Sequence, residues 1–242
     1  HKDQMGAVYN SLGGMHRKTG EYGKALEYYN LSLNVFKDLN MKRGIAGMLN
    51  NISSIYSHKG NYEKGLKLCN RSLKIIEEIG DNYSKALAFN KIGASYWELG
   101  KYDLALEYYS KSIKLKNKSG NKKGLLISFA QVGALYIDNN NYKKAEEYLQ
   151  KSLNLLDELG LPSDSTLRII TNLYIAYKQL GKEYNKKEVF KLLNDNDGTW
   201  DGADFDLYYR LYILLEETSY IETAYNQVQE KADNLEPDVA AK

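Results

Sequence analysis

Residues 90–109 read Asn90-Lys-Ile-Gly-Ala-Ser-Tyr-Trp-Glu-Leu-Gly-Lys-Tyr-Asp-Leu-Ala-Leu-Glu-Tyr-Tyr109. The stretch divides at Gly100 into two amphipathic segments. Phe89, Ile92, Gly93 and Tyr96 form one stripe at helical spacing. Tyr102, Ala105, Leu106, Tyr109, Ile113 and Leu115 form a second. Gly100 sits where the first helix must stop, because glycine takes the left-handed C-terminal conformation without a Cβ penalty. One such hairpin cannot bury both stripes, so it requires neighbours of its own kind.

Those neighbours are present in the chain. Leu12-Gly13, Ile52-Ser53, Ile92-Gly93 and Val132-Gly133 stand forty residues apart, as do Gly20, Gly60, Gly100 and Asn140. Tyr22, Tyr62, Tyr102 and Tyr142 keep the register, and so do Ala25, Gly65, Ala105 and Ala145. The last set places a small residue where the second helix of each unit meets the first, so that two backbones approach closely. A fixed period of this length is the signature of a stacked array of helix pairs.

The 90–109 motif, with its neighbours in register, resembles the tetratricopeptide repeat family. The forty-residue spacing is similar to the long-repeat subclass of kinesin light chains, Pins-like polarity adaptors and bacterial peptide-sensing regulators. Lys37, Glu77, Asn117 and Asp157 stand where the shorter form often carries proline, and the second helix runs on toward Gly80, Gly120 and Gly160. The resemblance implies an all-α fold, a right-handed superhelical solenoid of about six antiparallel helix pairs.

Four regular units are expected near 5–40, 41–80, 81–120 and 121–160. Over 161–194 the phase continues at Leu173, Tyr177 and Gly181 after one extra residue. Tyr184 then arrives a position late, so this is read as a degenerate fifth repeat. An acidic loop follows at 195–203, and then a degenerate terminal helix pair and tail at 204–242, with Ala224 as its small contact residue. The chain opens at His1 in a phase that leads into a helix, and is expected to be a piece of a longer array.

Composition narrows the function classes. With 33 basic and 31 acidic residues and a net charge of +2, no global field exists to hold nucleic acid by counterion release. A single cysteine, Cys69, excludes an internal disulfide framework and a thiolate zinc site. No apolar run is long enough to span a bilayer, and residues 1–20 lack a signal-peptide core. The expected location is cytoplasmic, with no membrane partner.

No nucleophile, base and orienting group stand at motif spacing, so no catalytic residue, no metal ligand set, no cofactor and no small-molecule substrate is expected, and the chain is not read as an enzyme. His16 holds the phase of Tyr56, Tyr96 and Tyr136, and Cys69 that of Tyr29 and Tyr109; both read as packing residues. The aspartates from Asp195 to Asp206 depart from a calcium loop, with Thr199 and Tyr208 where carboxylates belong.

In the family that the chain resembles, the first helices of successive repeats line a concave face on which ligands lie. Carried over by phase, the candidate partner-binding positions are Asn10, Arg17 and Lys18 in repeat one, and Asn50, Asn51, Ser54 and His58 in repeat two. Repeat three contributes Asn90, Lys91, Trp97 and Glu98, and repeat four Gln131, Ile137 and Asp138. The recurring amides, continued at Asn172, could both donate to and accept from a peptide backbone. Basic residues lie toward the first repeats, and Trp97, Glu98, Ile137 and Asp138 toward the later ones, which suits a peptide with an acidic end. The expected function is a protein-interaction scaffold that binds a peptide segment. The alternative is the peptide-responsive sensor region of a larger signalling protein such as a kinase, cyclase or transcription regulator.

Overall fold

In a computed structural model of the chain, residues 2–161, 164–194 and 205–233 are described. Those residues form helices and no strand. The regular part comprises α1 (Lys2–Lys18), α2 (Tyr22–Asp38), α3 (Lys42–His58), α4 (Tyr62–Ile79), α5 (Asn82–Glu98), α6 (Tyr102–Lys118), α7 (Lys122–Asp138) and α8 (Tyr142–Leu159). After it come α9 (Asp164–Gln179), α10 (Lys186–Asn194), α11 (Phe205–Leu215) and α12 (Thr218–Asp233). The described residues fall into two compact units, one reaching to Leu115 and the other beginning at Lys116.

The breaks between helices follow the local chemistry. Gly60 ends α3 at φ 75°, and Asn140 ends α7 at φ 54°, both in the left-handed region that glycine and asparagine tolerate best. Asn61, Asn121 and Asn141 then cap the following helices, their side-chain oxygens accepting from the amides of Lys64, Gly124 and Lys144.

Within each pair the helices meet at the small residues. Ala25, Ala105 and Ala145 are fully buried. In the first unit, a Cβ on Gly93 would stand 3.1 Å from the Tyr109 ring and 3.2 Å from the Ala105 carbonyl. Ala105→Leu should therefore force α5 and α6 apart and cost about 1–2 kcal/mol. Thermal melting reads this, and an unchanged midpoint would refute the contact.

A second device recurs in the same register. Ser32 Oγ donates to the Gly6 carbonyl at 2.7 Å, Ser72 to Ala46 at 2.9 Å, Ser112 to Ala86 at 2.7 Å and Ser152 to Leu126 at 2.9 Å. Each serine is buried, and each ties the second helix of a pair to the first. A short hydroxyl can fill a tight helix contact and still satisfy its polar atom inside it.

Regularity ends after α8. The segment 180–185 is not helical, and α10 has only nine residues. Tyr184, one position late, packs on Tyr174 with ring centroids 5.6 Å apart. The Tyr174 hydroxyl donates to Glu188 of α10. Ala224 on α12 is buried, while the acidic stretch 195–204 lies outside the described residues.

Candidate functional site

In the first unit the candidate residues of α1, α3 and α5 are brought together. The Asn51 amide donates to Asn10 Oδ1 at 2.9 Å, joining α3 to α1. The Lys91 ammonium donates to the Asn50 carbonyl at 3.0 Å and to Ser54 Oγ at 2.7 Å, joining α5 to α3. Ser54 donates in turn to the Asn50 carbonyl at 3.1 Å. Asn50 Oδ1 is buried and has no partner. Asn10, Arg17, Asn50, Asn51, Ser54, Asn90, Lys91 and Trp97 are half-buried, and Lys18 is exposed.

Charge on this face is unbalanced. Burial pushes the Lys91 amine below its ordinary value; the Cys69 thiol works against that shift and Arg17 reinforces it. Among the described residues, neither Arg17 nor Lys91 has a carboxylate partner. A half-buried lysine beside an arginine, with only neutral oxygens to receive its protons, is a place where an added anion is attracted without first displacing one already there. Cys69 itself is buried with Sγ 2.9 Å from Ser53 Oγ, and burial raises its thiol, so it contributes packing rather than reactivity.

Two predicted groove residues of this unit are turned to another use. The His58 ring stacks on Tyr22 of α2, with centroids 5.5 Å apart and planes within 6°. Glu98 is hydrogen-bonded to the Tyr62 hydroxyl at the start of α4, which, after burial, also raises that phenol. Position 58 or 98 thus meets the first tyrosine of the preceding pair and takes part in stacking between repeats. His16, as expected, packs: its ring lies 5.3 Å from that of Tyr28 and its Nδ1 is 3.2 Å from Glu21.

In the second unit the open positions expected on α7 are not open. Ile137 is only 7% exposed. α7 is apolar on nearly every side, with Leu125, Leu126, Val132, Leu135 and Tyr136 buried as well, so it has no wide polar face that would leave Ile137 open. Asp138 accepts from Arg210 Nη2 of α11 at 2.8 Å. Arg210 also holds Asp206 through Nε at 2.9 and 3.0 Å, and Arg168 of α9 reaches Asp206 at 3.1 Å. Asn172, which continued the amide series, is buried with Oδ1 unpartnered, whereas Gln131 is half-buried. Asp206, the one member of the acidic run that is described, is thus committed to arginines. Among the described residues no group of three histidine, cysteine or acidic side chains could hold a metal ion, and no helix is long and apolar enough to cross a membrane.

Sequence reasoning missed Arg210 and the four serines. The serines carried a signal, their forty-residue register. Arg210 carried none, because its partner Asp138 is 72 residues away.

Family models described as tetratricopeptide repeat match residues 44–118, 6–38 and 128–155. No curated protein matches the chain. Among solved structures, the apo form of RapI is similar at a TM-score of 0.75 and 14% identity, over 97% of this chain and 85% of that one. A Rap protein complexed with Competence and Sporulation Factor aligns at 0.73 and 14% identity, over 93% and 65%. A signal transduction ATPase from Pyrococcus horikoshii, described as having a tetratricopeptide repeat sensor, aligns at 0.67 and 18%, over 96% of this chain and 37% of that one. At these identities the likeness is one of fold.

Proposed function

Because the chain belongs to the tetratricopeptide repeat family, we propose that it is a protein-interaction scaffold whose α1, α3 and α5 hold an extended, acidic segment of a partner protein. The observation that carries this reading is the cationic pair of Arg17 and Lys91, left without a carboxylate partner among the described residues, on a face that also carries amides, Ser54 and Trp97. An acidic side chain or chain end would neutralise the pair. The amides of Asn10, Asn50 and Asn90 would meet the peptide main chain, and Trp97 would cover an apolar residue. Lys18, exposed beside Arg17, adds longer-range attraction. Gln131, Ile137 and Asp138 lie in the second unit and have no part in this site.

The reading is tested by selecting a random dodecapeptide library on the intact chain. Enrichment of sequences rich in Asp and Glu is expected. For a selected peptide, Arg17→Glu with Lys18→Glu should weaken binding about tenfold or more and flatten its dependence on salt. Selection without acidic bias, or affinity unchanged in the double variant, refutes the reading. A second reading, a peptide-responsive sensor region within a larger signalling protein, draws support from the Rap complex and the ATPase sensor, each of which is a fold relative. A ligand that changes the spacing of successive helix pairs would serve it.

A further inference from the structure

One turn toward the N-termini of α3 and α5, the face that holds Arg17 and Lys91 changes from polar to apolar. Lys91 reaches Asn50 and Ser54 of α3, and Asn51 reaches Asn10 of α1, so the three helices lie in register there. Four residues before Lys91 stands Leu87, 40% exposed, and four before that Tyr83, 62% exposed. Residues four apart on a helix share a face, so Leu87 and Tyr83 continue the line of Lys91. Four residues before Asn51 on α3 stands Gly47.

Packing does not require a glycine at position 47. A Cβ on Gly6, Gly13, Gly44 or Gly93 would stand between 2.5 and 3.1 Å from a tyrosine or phenylalanine ring, whereas a Cβ on Gly47 would have nothing within 4 Å. A glycine inside a helix weakens it relative to alanine, and here no neighbour takes the space that the missing side chain leaves. In the same register α1 carries Ala7, which is exposed, and α5 carries Leu87. The result is a shallow notch over α3, with Leu87 at the matching position of α5 and the cationic pair one turn away.

Resting on the acidic-segment reading above, we propose that the bound segment carries a bulky apolar residue, of the leucine, isoleucine, phenylalanine or methionine kind, two residues from its acidic one, and that this residue seats on Leu87 in the notch over Gly47. The spacing follows from the two backbones. Leu87 and Lys91 are separated by about 6 Å of helix rise. In an extended chain, side chains two residues apart point the same way and stand about 6–7 Å apart. A carboxylate held by Lys91 therefore directs the second residue along the segment to Leu87. The row of Ala7, Gly47 and Leu87 carries no polar side chain, and Trp97 lies on the other side of Lys91 along α5. The charge pair attracts acidic segments in general; the notch selects among them.

The dodecapeptide selection supplies the test. Among the acidic peptides recovered on the intact chain, Leu, Ile, Phe or Met two residues from an Asp or Glu should be enriched. Gly47→Gln fills the notch with a neutral, helix-favouring side chain that meets no obstacle, so the melting midpoint should be kept or raised. It should weaken a selected peptide about tenfold while leaving the salt dependence, set by Arg17 and Lys91, as it was. Leu87→Gln, at an exposed position, should do the same. Replacing the apolar residue of the peptide by Ser should cost about tenfold on the intact chain and less than about twofold on the Gly47→Gln chain. Acidic peptides without that spacing, or affinity that survives both variants, overturn the proposal and leave the acidic reading standing. Selection without acidic bias overturns both. A concentration-dependent dimer abolished by Leu87→Gln also overturns it, by assigning the face to a second copy.

Discussion

Arg210→Met is expected to destabilise the second unit by about 3 kcal/mol. The Arg210 side chain is 4% exposed and donates to both Asp138 and Asp206. Burial opposes its charge, but the two carboxylates outweigh that and hold the guanidinium protonated. Methionine would retain most of the apolar contact and remove every donor, leaving two aspartates to face each other and Arg168 alone. Their side chains are 31% and 37% exposed, so they recover some hydration, which keeps the cost near the lower end of what breaking a buried pair incurs.

Chemical denaturation gives the magnitude, and amide exchange localises it to α7, α9 and α11. Arg210→Lys should restore only part of the stability, because an ammonium cannot present a planar fork to two carboxylates in fixed directions. A loss below about 1 kcal/mol in the methionine variant would mean that the four charges behave as a surface cluster.

This ion cluster marks the limit of what could be read from sequence. The four regular repeats were legible because their period is written in residues whose roles are stereochemical: left-handed glycine or asparagine at 60 and 140, and a small residue at 25, 65, 105 and 145. Such positions tolerate few alternatives. Ser32, Ser72, Ser112 and Ser152 were equally periodic, but a hydroxyl carries no apolar signal, and a buried serine looks like a surface one until its carbonyl partner is seen. His58 and Glu98 had the phase of groove residues, yet Tyr22 and Tyr62 lie close enough to engage them; phase gives direction and leaves reach undetermined. Asp138 met its partner only through α11, past the point where the repeat had broken down.

Of the site itself, the amides and Lys91 were legible as types. Their mutual engagement was not. Asn51 spends its donor on Asn10, and Lys91 spends two protons on α3, so part of the expected peptide ladder is occupied in joining successive helices. A ligand there must compete with those bonds or use what they leave over, chiefly charge.

Lys116→Met should stabilise the chain, in a way that depends on pH. Position 116 keeps the register of Phe36, Ile76 and Leu156, so a lysine stands where the other repeats place an apolar side chain. It is 3% exposed, its ammonium donates to Ser128 Oγ at 2.7 Å, and burial lowers its pKa from 10.5 to about 8. In the unfolded chain the amine holds its proton up to about pH 10.5, whereas in the folded chain it releases it near pH 8. Between those values the unfolded state binds more protons, so stability from this group rises with pH. Below pH 8 both states are protonated and the penalty is complete. At pH 7 methionine should therefore gain about 2 kcal/mol, the desolvation penalty less the hydrogen bond to Ser128. Denaturation at pH 7 and pH 10 measures the difference between the two proteins. It should shrink toward zero at the higher pH, where the wild-type amine is already neutral when folded. A gain that is the same at both pH values would show that packing, and not charge, is what the lysine costs.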